Sequence, residues 1–193
     1  MARHTAVPGS CYFYYPRLVC VVGVRDDARG TTNFAPVTWA SPLSSDPPLY
    51  GICVTPKTHT HHLILRSGEF TINFLAHEHA TVAEALGKLS GRTVNKVEAL
   101  GLQLEAPETI STPSMVLAYV AAECLLRERH QFGDQTLFVG DVQQIVVRDG
   151  VFDEDGVLRV DRLDPLLYLG NNRYVTTNPA SAARPKPAEP VKT

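Results

Sequence analysis

Apolar and polar positions alternate in short blocks along the chain, and most blocks predict strands. Leu18 to Val24, LVCVVGV, is an unbroken β-branched run between Pro16 and RDDARG, which predicts a buried strand entering a turn. Asn33 to Ser41 is predicted as its partner. SSDPP then joins two hydroxyl residues, an aspartate and two prolines, a turn composition that a central strand does not survive. Leu49 to Val54, LYGICV, predicts the third strand, closed by Pro56. Thr58 or Thr60 can cap a short helix through HHLILRS, with Gly68 as its stop signal. Glu69 to Leu75 alternates with period two, Phe70, Ile72 and Phe74 on one face, Thr71 and Asn73 on the other.

From Thr81 to Leu89 the period lengthens. Val82, Ala85, Leu86 and Leu89 take the spacing of an amphipathic helix, with Gly91 just beyond. NKVEALGL predicts another helical turn, closed by Gly101. AAECLLRERHQFGDQTLFVGDVQQIVVRDG predicts two long strands hinged at FGD, their charges alternating as on strands with one wet face. Asn178 to Thr193 is rich in Pro, Ala and Lys without apolar periodicity, and is expected to be a disordered tail. The expected organisation is an N-terminal arm over 1–15, one domain over 16–177 and the tail over 178–193. Strands outnumber helices, so the predicted class is mainly β with short helices, a small antiparallel β-barrel with helical excursions.

Composition narrows the function classes. The 193 residues are 44% hydrophobic and 20% charged, the balance of a soluble domain. No apolar run approaches the roughly 20 residues of a membrane helix, and the N-terminal segment lacks the apolar stretch of a secretory signal. A cytoplasmic protein without membrane association is therefore expected. A formal net charge of −2 gives no global attraction to nucleic acid. Cys11, Cys20, Cys53 and Cys124 form no CxxC and are expected as free thiols.

Dinucleotide, P-loop and nucleophile-elbow motifs are all missing, as is any obvious Ser/His/Asp set. His59, His61 and His62 cluster, and His77 and His79 pair, but no carboxylate or cysteine stands at ligand spacing. No metal site is expected. What stands out is the stretch from Thr31 to Thr60, which crowds hydroxyls, Asn33, the single tryptophan Trp39 and Lys57 into a half-apolar segment. Each buried hydroxyl needs a partner, so a segment that only filled a core would use Val, Ile and Leu instead.

The string NFAPVTWASPLSSDPPL from Asn33 to Leu49, followed by TPKTHTHHLI from Thr55, resembles the flavin reductase-like family of FMN-binding split-barrel proteins, which includes flavoredoxins. SGEFTIN at 67–73, GRTVNKVEALGL at 91–102 and LYLGNNRY at 167–174 are similar to it too. The likeness runs in order from about Pro16 to Tyr174. It implies a six-stranded antiparallel split β-barrel, a homodimer, and FMN, with FAD as an alternative, near the subunit interface. On this resemblance Asn33, Ala35, Thr38, Trp39 and Ser41 would line the flavin ring. Thr55, Lys57, Thr58 and Thr60 would hold the phosphate, Lys96 would bring an ammonium to the flavin, and Tyr174 would be an aromatic cover. Two positions depart from the family pattern: Thr58, where a second basic residue is common, and His62, where an acid is common.

The activity so implied is hydride transfer from NAD(P)H to the flavin, with the reduced flavin serving a small-molecule acceptor or a partner redox enzyme. No residue of the chain is expected to be catalytic itself, because the cofactor carries the chemistry. The alternatives are a flavoredoxin-like electron carrier without its own NAD(P)H turnover, and a barrel that binds something else, such as haem, or acts as an interaction module.

Overall fold

The computed structural model describes residues 5–7, 9, 11–183 and 185. In chain order its strands and helices are β1 (Arg17–Leu18), β2 (Cys20–Asp26), β3 (Thr31–Val37), β4 (Ala40–Ser45), β5 (Pro48–Val54), α1 (His59–Ser67), β6 (Glu69–Leu75), α2 (Ala80–Lys88), α3 (Lys96–Ala99), β7 (Leu104–Glu105), β8 (Ser114–Met115), β9 (Ala118–Phe132), β10 (Gln135–Val147), β11 (Leu167–Gly170) and β12 (Arg173–Val175).

The mainly β class with short helices is what the chain adopts, with one correction. The principal sheet has seven strands, in the order β3-β2-β6-β9-β10-β5-β4, and β3 and β4 stand at its two ends without pairing to each other. The expected six-stranded antiparallel split barrel is observed as a split-barrel-like arrangement whose sheet has seven strands and does not close. Its seventh strand comes from the segment predicted as one strand over Asn33 to Ser41. Pro36 has no N–H to donate, β3 ends at Val37, and a new strand starts at Ala40. Between them Thr38 and Trp39 leave the ladder, and the Trp39 carbonyl instead accepts the Cys53 N–H at 2.8 Å.

The unbroken apolar run of β2 is explained by burial on both faces. Cys20, Val22 and Val24 pack inward with Ile52, Ile64, Phe70, Ile72 and Phe138, while Val19 and Val21 pack outward with Phe34, Leu75, Leu86 and Met115. The polar side of β6 is equally dry. Asn73 donates to the Val21 carbonyl at 3.0 Å and accepts from the Met115 N–H at 2.8 Å. Thr71 is completely buried beside it.

The β9–β10 hairpin turns where FGD predicts, but along β9 the wet face is not an alternating one. Ala118 to Cys124 is buried throughout, whereas Leu125 to Phe132 is almost wholly exposed. Burial changes along the strand rather than across it, because β6 covers only the first half. Glu123, read as part of the alternation, lies in the buried half. Asn178 caps a single 3-10 turn at Pro179–Ser181; the rest of the segment expected to be disordered lies largely outside the described residues.

Candidate functional site

Thr58 begins the site. Its hydroxyl accepts the His61 N–H at 3.2 Å, so Thr58 and not Thr60 is the cap of α1. At the other end Gly68 adopts a left-handed φ of 69° and returns its N–H to the Ile64 carbonyl. The first turn of α1 carries no acidic residue. Its unpaired backbone N–H groups and dipole therefore favour an anion at this end.

Thr60 is buried on the inner side of that turn, where its Oγ1 accepts from Asn33 Nδ2 at 2.9 Å. This bond ties α1 to the middle of β3. The other end of the same amide, Asn33 Oδ1, is buried without a hydrogen-bond partner. Gly91 lies against it, and a Cβ there would fall 2.8 Å from Asn33 Cγ. Gly91 is held in place by Arg29, whose Nη1 donates to the Gly91 carbonyl at 2.6 Å.

Two cavities share this corner. One, of about 340 Å³, is lined by Asn33, Lys57, His59, Arg92, Lys96 and their neighbours, and no aspartate or glutamate lines it. The other, of about 250 Å³, is lined by Ala35, Pro36, Thr38, Trp39, Cys53, Thr55 and neighbouring residues including Gln135. Ala35, Pro36, Thr58 and Thr60 border both. The arrangement is a basic pocket and a flatter apolar slot meeting at the cap of α1. Such a pair of surfaces suits a ligand with an anionic tail and a planar, partly apolar head.

Lys96 forms the floor of the basic pocket. It is buried, and its Nζ donates to the carbonyls of Phe34 at 2.8 Å and Leu86 at 2.7 Å. Burial pushes its pKa down from 10.5 to about 8, since desolvation penalises the ammonium. Two of its three N–H donors are thus committed to the fold, a structural duty that the sequence does not disclose. Tyr174 stands farther off. Its hydroxyl donates to Glu84 Oε2 at 2.8 Å, and it lines a third cavity, of about 190 Å³, with Val19, Pro36, Thr38, Glu84 and Tyr168. Ser41 lines none of these cavities; it is exposed on β4, its hydroxyl donating to the Pro42 carbonyl at 3.1 Å.

Several lining residues were not singled out from the sequence. Gly91 and Arg92 sit inside the quoted GRTVNK segment, so a signal for them was present. His59, noted in the sequence only as part of the histidine cluster, pairs through Nε2 with the buried Asp26 at 2.8 Å, and Gln135 gave no signal. The helix gives the histidines different partners: His61 meets Thr136 at 2.9 Å, and its ring lies 5.7 Å from that of the exposed His62. Among the described residues no group of three His, Cys, Asp or Glu could hold a metal. Among the described residues no helix is long and apolar enough to cross a membrane.

With this geometry in view, residues 12–177 match the flavin reductase like domain. A crystal structure of an FMN-binding protein from Thermus thermophilus superposes with a TM-score of 0.83 at 35% identity, covering 95% of this chain and 98% of that one. The flavoredoxin of Desulfovibrio vulgaris superposes with a TM-score of 0.80 at 24% identity over 91% of this chain and 94% of its own, a likeness of fold. An uncharacterized protein of Archaeoglobus fulgidus is 32% identical over 121 residues, 63% of this chain and 68% of its own length.

Proposed function

Because the chain belongs to the flavin reductase-like domain family, we propose that it is an FMN-binding oxidoreductase that takes electrons from NAD(P)H. The observation that carries this reading is the capped end of α1 between a basic pocket and an apolar slot. FMN has a phosphate for the first and a ring system for the second. Similarity to the Thermus thermophilus FMN-binding protein supports the same choice.

The residues fit the group. Thr58, the first amides of α1 and Lys57 would hold the phosphate through charge and hydrogen bonds. Thr55 and Thr60 border the same corner and add hydroxyls. Ala35, Pro36 and Trp39 would supply the apolar wall, and Thr38 a hydroxyl at its margin. Asn33 would offer the unpaired end of its amide, whose burial without a partner costs about 1–3 kcal/mol until something pairs it. Lys96 would keep a positive charge beneath the site, which favours the reduced, anionic form of a flavin. Bound FMN supplies the hydride chemistry, so the chain need only position the nicotinamide and exclude competing water.

A homodimer belongs to the same proposal. Trp39 and Phe132 are large apolar side chains with 39% and 62% exposure, and a second copy is the occupant that would cover them. Sedimentation velocity on the purified protein tests this directly.

Titration with FMN, followed by an NADH and NADPH oxidation assay, tests the function. Stoichiometric FMN binding with oxidation of either nucleotide beyond that of free FMN is expected. Slow oxidation combined with rapid reduction by a redox protein would make it an electron carrier instead. A protein that ignores both FMN and FAD would overturn the flavin reading altogether.

A further inference from the structure

The third cavity, beyond the apolar slot, has two tyrosine rings in its wall. Tyr168 and Tyr174 stand with centroids 5.1 Å apart, and Tyr15 packs edge-on against Tyr168 at 5.3 Å. Tyr15 comes from the segment placed before the domain in the sequence. That segment is fastened down: the Tyr15 hydroxyl meets Thr38 Oγ1 at 3.0 Å, Tyr14 packs edge-on against Trp39 at 5.9 Å, and Tyr12 lies over Gly170, where a Cβ would come within 2.8 Å of Tyr12 Cγ. The arm therefore closes one side of the groove.

The cavity measures about 190 Å³ and its walls are Val19, Pro36 and the two tyrosine rings. An apolar cavity of about 150 Å³ accommodates benzene. One aromatic ring is thus the size that fits. The polar groups decide what that ring carries. Glu84 accepts Lys88 on Oε1 at 2.8 Å and Tyr174 on Oε2 at 2.8 Å, which leaves a lone pair on each oxygen. Tyr174 has given its only O–H to Glu84, and Thr38 shares one hydrogen bond with Tyr15 in which either hydroxyl can donate. No cation lines the cavity. The charged group on offer is an acceptor, the Glu84 carboxylate.

We propose that this cavity is a binding site for a single neutral aromatic ring bearing a hydrogen-bond donor, a phenol or a carboxamide, held against the Tyr168–Tyr174 pair with its donor on Glu84. A carboxylate-bearing ring brings only acceptors to a wall that already has one, and is selected against. As a bound ligand the ring is independent of the flavin; as a co-substrate it rests on the flavin reading above, since Thr38 borders both this cavity and the slot.

Phenol and benzoate, titrated separately against the full-length protein by ligand-observed NMR, test the site. Saturable phenol binding is expected, with benzoate weaker by about tenfold or more, the factor that one unsatisfied buried polar group produces. Glu84→Gln introduces a donor and should close most of that gap. Val19→Ile adds one methylene to the wall and should weaken phenol severalfold, which keeps the test decisive even if Glu84→Gln fails to fold. Absent phenol binding, equal binding of benzoate, or a gap unchanged in a folded Glu84→Gln protein would each overturn the site. Performing the titrations with and without FMN separates this outcome from failure of the flavin reading.

Discussion

Asn33 on β3 and Thr60 on α1 are joined by a buried 2.9 Å hydrogen bond from the asparagine amide to the threonine hydroxyl. It explains why a segment that reads as a strand carries a polar residue at an inward position. The amide fixes the first turn of α1 against the sheet and so places the anion-attracting end of that helix beside the apolar slot. Its remaining oxygen has no partner and faces the loop at Gly91.

Gly91→Ala tests how tightly that corner is built. A methyl at this position collides with the Asn33 side chain and comes within 3.1 Å of the His59 ring. We expect a loss of about 1–3 kcal/mol, the range for overpacking, together with weaker FMN binding because Asn33 must turn away from Thr60. Urea denaturation alongside an FMN titration measures both.

Lys57→Ala separates affinity from folding. Lys57 is exposed at the lip of the basic pocket, so its removal leaves the core intact. FMN binding should weaken by about 1–3 kcal/mol, the value of a charge-assisted contact, with an unchanged melting temperature. Calorimetric titration would reveal it; unaltered affinity would mean that the phosphate lies elsewhere.

Lys96 makes a prediction about alkaline pH. Its folded pKa of about 8 lies below the unbound value of 10.5, so between these pH values the unfolded chain holds more protons than the folded one. Its contribution to stability therefore rises with pH across that window. Other buried groups act oppositely there, Cys20 and Tyr119 among them, each pushed up to about 12 by burial. The comparison with Lys96→Met isolates the lysine. The difference in unfolding free energy between wild type and variant should shift towards the wild type from pH 8 to 10.5, as read by denaturant melts at several pH values.

Glu123 has the same sign of pH dependence at the acid end. Burial raises its pKa, but bonds from the Thr109 hydroxyl and the Glu108 and Thr109 amides prevail, and the net direction is downward. A depressed carboxyl stabilises the fold above its unfolded pKa and loses that contribution as pH falls through the folded value. Glu123→Gln should cost about 1–3 kcal/mol at neutral pH. That cost should shrink as the medium is acidified below 4.5, the ordinary carboxyl value. Acid titration of both proteins by circular dichroism checks it.

The local choices were legible in the residues themselves. Periodicity located β6 and α2, the threonine and glycine punctuation bounded α1, and FGD marked the β9–β10 turn, because each depends on contacts within a few residues. The crowding of hydroxyls between Thr31 and Thr60 also announced a polar occupant or buried polar partners. Nothing local announced that Thr38 and Trp39 would leave the ladder and make two strands of one, or that β9 would be dry for half its length and wet for the rest. Those features depend on which strands lie alongside, and neighbours in a sheet are distant in the chain. The fates of Lys96 and Tyr174 were likewise tertiary matters: a lysine near a cavity can serve a ligand or the backbone, and only packing against Phe34 and Leu86 committed its protons to carbonyls. The aromatic arm is the clearest case. Tyr12 to Tyr15 read as part of an arm before the domain, yet the packing of rings against Tyr168 and Trp39 is gained only when β11 and the β3–β4 turn converge, which no pattern along the chain encodes.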